Sequence, residues 1–200
     1  MTRSPWAHAY AHTPNTYVWG TAPSAFARRV APLAPRAGRM LELGCGEGRD
    51  AVFFATRGLD VTAVELSAAG LRKAERLARR HGVLVRWRHG DMARCRFAGP
   101  FGFVYSCGSI HYVPRAARRE LLARLAALTR PAGCHAHVVF TDRLVYIEQR
   151  EVIDYFAPGE IAGHYAGWRI LHHAARTIVC AEDGTRHRHA VEELIARKPA

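Results

Sequence analysis

The segment Leu41-Glu42-Leu43-Gly44-Cys45-Gly46-Glu47-Gly48 follows directly on a short apolar run and runs directly into a helical pattern. Three glycines in five positions make a turn too sharp for residues restricted to φ < 0. They also leave the backbone bare, so that a nucleotide-like ligand can lie against it without a side chain at Gly44 or Gly46 holding it off. A glycine turn between strand and helix occurs in many α/β folds, so its weight comes from what surrounds it.

The surroundings alternate. Arg39–Leu43 is a short strand ending at Gly44, and Asp50–Arg57 is helical and closes at Gly58. Asp60–Glu65 is β-branched and strand-like. Ser67–His81 is a helix with Leu71, Ala74, Leu77 and Ala78 on one face, stopped at Gly82. Val83–Arg88 and Phe101–Ser106 are strands, Pro114–Thr129 is an amphipathic helix, and Cys134–Phe140 is a further strand. Short connections between alternating strands and helices predict a doubly wound, mostly parallel sheet. The ending departs from this: Trp168–Ala181 and Arg186–Arg197 are extended segments joined by Glu182-Asp183-Gly184-Thr185, which predicts an antiparallel pair. Before the first strand, residues 1–17 lack periodicity and read as an irregular arm, and 22–30 as a short helix with Pro23 in its first turn.

Two hundred residues suffice for one domain with a core that needs no disulfides. Five cysteines without a C-x-x-C pair fit reduced thiols and a cytoplasmic protein. The N-terminus lacks the apolar run of a signal peptide, and no stretch is long enough to span a membrane. The formal charge of +12 is almost wholly arginine, since Lys73 and Lys198 are the only lysines. The arginines are spread from Arg3 to Arg197 rather than gathered on a stripe or tail. Two readings remain: solvated helix faces, or a general attraction for anionic substrates or RNA.

Acids stand at successive strand ends. Glu42 lies two residues ahead of the turn, Glu65 ends the second strand, and Asp91 follows the third in Gly90-Asp91-Met92. The spacing is G-x-G-x-G rather than the dinucleotide G-x-G-x-x-G, and an acid beside it suits an ammonium group better than a pyrophosphate. That favours S-adenosylmethionine over a nicotinamide cofactor. Glu42 would meet the amino-acid tail, Glu65 the ribose hydroxyls and Asp91 the adenine amino group, with Met92 against the ring.

With these motifs, Arg39–Phe140 resembles the class I S-adenosylmethionine-dependent methyltransferases, and most resembles their tellurite-resistance and thiopurine type. Trp19-Gly20-Thr21-Ala22-Pro23-Ser24, Gly159-Glu160-Ile161, Tyr165-Ala166-Gly167-Trp168 and Ala196-Arg197-Lys198 extend the resemblance over most of the chain. The resemblance implies an α/β Rossmann-like fold of seven strands with the last antiparallel. It also implies an arm (residues 1–21) over the cofactor site and a single methyltransferase domain (22–200). The donor would be held by Tyr17, Trp19, Glu42, Gly44, Cys45, Gly46, Glu65, Leu66, Asp91, Met92, Ser106 and Cys107. Tyr17 and Trp19 would cover the sulfonium, or equally staple the arm to the core.

The transferable methyl group would face Tyr105–Tyr112, which makes His111 and Tyr112 the candidate catalytic residues. His111 is read either as a base or as a histidine that packs near the cofactor. Tyr146, Glu148 and Arg150 are weaker candidates for acceptor contacts. Two departures from the family stand out: Gly102 where the fourth strand usually carries an acid, and Ile178-Val179 where tellurite-methylating relatives place a His-Arg pair. The latter argues against tellurite. His135/His137 and His187/His189 are placed about 20 Å apart by antiparallel pairing at ~3.3 Å per residue, so no metal is expected between them. The expected reaction is methyl transfer to a small-molecule nitrogen, sulfur or oxygen acceptor. The alternatives are a donor-binding protein without turnover or an RNA-associated enzyme. Nucleic acid and membrane are otherwise not expected as partners, and a monomer or weak homodimer is.

Overall fold

A computed structural model of the chain describes residues 6–146, 153–181 and 184–200. Two short helices, α1 (Ala7–His12) and α2 (Ala25–Val30), precede the sheet. The strands and helices then alternate as β1 (Gly38–Leu43), α3 (Arg49–Thr56), β2 (Leu59–Glu65), α4 (Ala68–Arg80), β3 (Arg86–His89), β4 (Phe101–Cys107), α5 (Arg115–Ala127) and β5 (Thr129–Phe140). A one-turn helix α6 (Glu160–Gly163) and the strands β6 (Arg169–Cys180) and β7 (His187–Arg197) complete the chain.

The seven strands lie in the order β3-β2-β1-β4-β5-β7-β6. The first five are parallel, and β7 is antiparallel to both β5 and β6. This is the fold expected from the sequence, including its antiparallel ending. Glu182 and Asp183 of the expected turn lie outside the described residues; the pairing ends at Cys180 opposite His187.

Both faces of the central strands are covered, which is why their sequences read as continuous apolar runs. On β1, Met40 packs with Phe26, Phe54, Phe103 and Tyr105 under the N-terminal helices, while Leu41 and Leu43 pack with Leu121, Leu125, Phe156 and Tyr165 under α5 and α6. Ser67 caps α4 by accepting from the Gly70 N–H at 3.2 Å.

The arm departs from the irregular reading. Its first turn is helical, and Trp6 and Tyr10 are both buried. A buried ion pair fastens it: Lys73 Nζ on α4 is 2.5 Å from Glu47 Oε1 and 2.8 Å from Thr13 Oγ1. Expected helix ends shift by one to three residues. Thr129, expected as the last residue of the preceding helix, and residues 130–133, expected as the connection to the next strand, belong instead to β5, with Ala132 at φ +57°.

Candidate active site

A cavity of about 940 Å³ opens over the carboxyl ends of β1, β2, β4 and β5, beside the glycine turn. This is the crevice that an open α/β sheet offers a ligand. Its volume is near the upper end for small-molecule pockets, enough for two molecules side by side.

Gly44, Gly46 and Gly48 have φ of +66°, +55° and +85°. The turn is therefore glycine-dependent for its backbone alone. The protein itself fills the space that a side chain would need. A Cβ at Gly44 would meet Ser109 Cβ at 2.4 Å, and one at Gly46 would meet the Tyr10 hydroxyl at 2.8 Å.

The wall's buried charges are all acidic: Glu42, Glu47, Asp50 and Glu65. Glu65 Oε2 accepts from Gly46 N at 3.0 Å and Oε1 from Ser67 N at 2.7 Å. It thereby ties the end of β2 to the glycine turn. A carboxylate has about four acceptor positions, so these bonds do not exhaust it. Burial raises its pKa, and the backbone N–H groups of Ser67, Gly46 and Leu66 work against that rise. Glu42 differs, because its Oε2 is buried and meets no hydrogen-bond donor among the described residues. Burial first, and then the charge of Asp50, push its pKa well up. Without a ligand the Glu42 carboxyl is thus favoured in its neutral form, and its buried oxygen beside the cavity is an unsatisfied polar group.

Asp50 went unnoticed in the sequence, where it reads as an ordinary first-turn acid. It accepts from Ser24 N at 2.7 Å, Ser24 Oγ at 2.8 Å and Tyr105 Oη at 2.7 Å, locking α2, α3 and β4 together at the cavity. Asp91 lies on the wall with Met92, its Oδ1 accepting from Ala93 N at 2.9 Å. Cys45, Leu66 and Cys107 also line the wall. Burial pushes the Cys107 thiol up to about 12, so it is a neutral packing group.

The roof is aromatic and differs in membership from the sequence reading. Trp19 is part of it, with Nε1 donating to Tyr10 Oη at 3.1 Å and its ring edge-on to Trp6 at 4.7 Å. Trp6 Nε1 donates to Tyr112 Oη at 3.0 Å, so the arm reaches the loop after β4. Tyr17 is not on the cavity: its hydroxyl donates to Lys73 O at 3.0 Å, and it packs on Val52, Leu77 and Ala78. Of its two readings, the staple is the one observed.

Two further candidates are corrected. Ser106 is fully buried and bonded to His137 Nδ1 at 2.7 Å, away from the cavity, because consecutive residues of a strand face opposite ways. His111 is fully buried behind the wall, stacked on Phe140 at 4.1 Å, its Nδ1 accepting from Phe140 N at 3.3 Å. Burial drives its pKa well down, so its ring is neutral and structural. Tyr112 does line the cavity. Pro114, Val138, Phe140, Ile178 and Cys180 line it as well. Tyr146 sits against His187 rather than on the wall, and Glu148 and Arg150 lie outside the described residues. Gly102 is not on the cavity wall, and a Cβ there would meet the Arg130 guanidinium at 3.0 Å.

Residues 40–133 match a family model described as a methyltransferase domain. That match, together with the fold and the placement of the glycine turn, supports a class I methyltransferase domain of the S-adenosylmethionine-dependent type in this part of the chain. Among sequence relatives, Hemagglutinin 1 of Eikenella corrodens is 28% identical over 151 residues, covering 76% of this chain and 50% of that protein. An uncharacterized methyltransferase of Mycobacterium bovis is 34% identical over 102 residues, half of each chain. The chain thus spans about half the length of the curated relatives it matches. Among solved structures, TehB from Haemophilus influenzae superposes with a TM-score of 0.79 at 18% identity, over 89% of this chain and 63% of that one. The N-methyltransferase NodS from Bradyrhizobium japonicum WM9, in complex with S-adenosylhomocysteine, gives 0.70 at 14% identity, over 98% of this chain and all of that one. These identities establish likeness of fold. No helix among the described residues is long and apolar enough to cross a membrane.

Proposed function

We propose that this chain transfers the methyl group of S-adenosylmethionine to a small nucleophilic acceptor. The observation that carries the reading is the donorless buried oxygen of Glu42, set in an acidic wall beneath an aromatic roof. A sulfonium ligand bearing an ammonium group complements the buried carboxylates of that wall in charge, while Arg49, Arg94, Arg96 and Arg124 line the cavity from less buried positions. Glu42 would take the ammonium, Glu65 the ribose hydroxyls, and Asp91 with Met92 the adenine. Trp19, Trp6 and Tyr10 would close over the donor and exclude water. When bound, the donor supplies an activated methyl group.

The protein's part is mainly positioning. No histidine lines the cavity among the described residues, and the Cys107 thiol stays protonated. The site therefore suits an acceptor that is nucleophilic without a strong base, an amine or a low-pKa thiol, held between Tyr112, Phe140 and Cys180. The roof of Trp6, Tyr10, Trp19 and Tyr112 leaves a covered entrance, which favours a small acceptor over RNA. The N-methyltransferase NodS, similar in fold, is in keeping with an amine.

The test is transfer of a radiolabelled methyl group from S-adenosylmethionine to a panel of amines, thiols and phenols by the purified chain. Label above background on at least one amine or thiol is expected. Label confined to a structured RNA, or found on no acceptor while the donor binds, would overturn the reading.

A further inference from the structure

The β6–β7 hairpin gathers three metal-ligating side chains that methyl transfer does not use. Cys180 and His187 are directly opposed across the two strands, so their side chains leave the same face. His189, two residues further along β7, leaves that face as well. Their ligand atoms, one sulfur and two ring nitrogens, all lie within 4.8 Å of one another. His187 and His189 are buried, while Cys180 is partly exposed and reaches the cavity wall.

The rings are held in orientation. Tyr146 stacks on His187 at 3.7 Å and Phe140 stacks on His189 at 4.1 Å. His187 Nδ1 lies 2.6 Å from Thr185 O, an acceptor only, so Nδ1 carries the proton and donates. That leaves the Nε2 lone pair pointing to His189 Nε2, 2.8 Å away. A ring N–H held by a backbone carbonyl is the arrangement that fixes the tautomer of a metal-binding histidine. Two imidazole nitrogens this close share one proton or one ion. Tetrahedral zinc, with bonds of 2.0–2.1 Å to nitrogen and 2.3 Å to sulfur, sets nitrogens about 3.3 Å apart and nitrogen and sulfur about 3.6 Å apart. The pair of rings would open by about half an ångström and the thiol would close in, within the reach of side-chain rotation.

We propose that Cys180, His187 and His189 form a binding site for a divalent transition metal of the zinc class, at the acceptor end of the cavity. Two imidazoles and a thiolate select zinc-like ions over magnesium or calcium, which take oxygen ligands. The register separates this site from the other histidine pair: His137 is opposite Leu194 and His135 opposite Ala196, at the far end of β7. That separation excludes one site shared by all four histidines, and Cys180 stands beside His187 and His189 instead. The site stands on these residues alone and is independent of whether the chain transfers methyl groups.

The test uses the tag-free full chain, stripped with chelator and titrated with zinc(II) and cobalt(II). One equivalent per chain is expected, with a near-ultraviolet thiolate-to-cobalt charge-transfer band that a purely imidazole site lacks. Cys180→Ser and His189→Asn should abolish the band or weaken binding at least tenfold, and His12→Asn, on the stacked His8/His12 pair, should leave both unchanged. Circular dichroism confirms the fold of each variant. Were a variant to unfold, the alkylation rate of Cys180 in the parent chain decides instead, read by peptide mass. Zinc should slow it. The proposal is overturned if the folded parent binds no stoichiometric metal, if Cys180→Ser and His189→Asn leave isotherm and band unaltered, or if zinc leaves alkylation unchanged.

Discussion

Replacing Glu42 with Gln separates what the unliganded fold wants at this position from what the donor wants. The substitution keeps shape and volume but removes the charge. In the unliganded protein Glu42 Oε2 meets no donor, and burial with the charge of Asp50 raises its pKa well above the usual carboxylate range. Between its unfolded and folded pKa values the native state therefore holds a proton that the unfolded chain has lost. The parent's stability falls as pH rises through that window, and the glutamine variant has no such term. Glu42→Gln should thus be at least as stable as the parent, with an advantage that grows from pH 5 to pH 8, read by urea unfolding. Ligand affinity should move the opposite way. S-adenosylhomocysteine keeps the amino-acid tail of the donor, and a charge-assisted contact from carboxylate to ammonium is worth about 1.5–3 kcal/mol. Its loss is a weakening of roughly 10- to 150-fold by calorimetry. A variant that binds S-adenosylhomocysteine as tightly as the parent, or is destabilised more at pH 8 than at pH 5, would refute the assignment.

Other predictions concern the frame of the site. Glu65→Ala removes the acceptor of both Gly46 N and Ser67 N, and should cost about 2–4 kcal/mol of stability as well as detectable binding of S-adenosylhomocysteine, by thermal unfolding and calorimetry. Lys73→Met strands the Glu47 charge in the interior, and should cost about 3–5 kcal/mol by urea unfolding while loosening the arm. Trp19→Ala should weaken S-adenosylhomocysteine binding by about tenfold, a loss of ~1.4 kcal/mol, and Tyr17→Phe should leave it unchanged, because only Trp19 lines the cavity. Burial lowers the His137 pKa to about 3, so the native ring stays neutral below pH 6.5 while the unfolded one protonates. His137 therefore costs stability as pH falls. Between pH 6 and pH 5 the parent should lose about 1 kcal/mol more than His137→Asn.

What the sequence revealed and what it hid divide along physical lines. The glycine turn, Glu65 and Asp91 sit where strands end, and strand ends can be read from patterning, so this side of the cavity was legible. The choice between neighbouring residues was not. Ser106 and Cys107 face opposite sides of a strand buried on both faces, and no polar alternation marks which side holds the cavity. The roof was half visible. Trp19 stands in a recognisable motif, but Tyr10 lies on, and Trp6 just before, a six-residue helix too short to show a period. The tight fit of Tyr10 against Gly46 and Gly70 is a long-range contact without a local signal. His111 drew the eye as the histidine nearest the expected methyl group, yet its ring is sealed behind the wall. The pairing of Cys180 with His187 could have been found by folding the expected hairpin on paper, since residues opposed across two strands share a face.

Calorimetric titration of the purified chain with S-adenosylhomocysteine is the most direct check on the central claim. The acidic wall and aromatic roof predict one molecule bound per chain with micromolar affinity, weakened in Glu42→Gln and lost in Glu65→Ala. A folded chain that binds none would contradict the claim that this cavity holds the methyl donor.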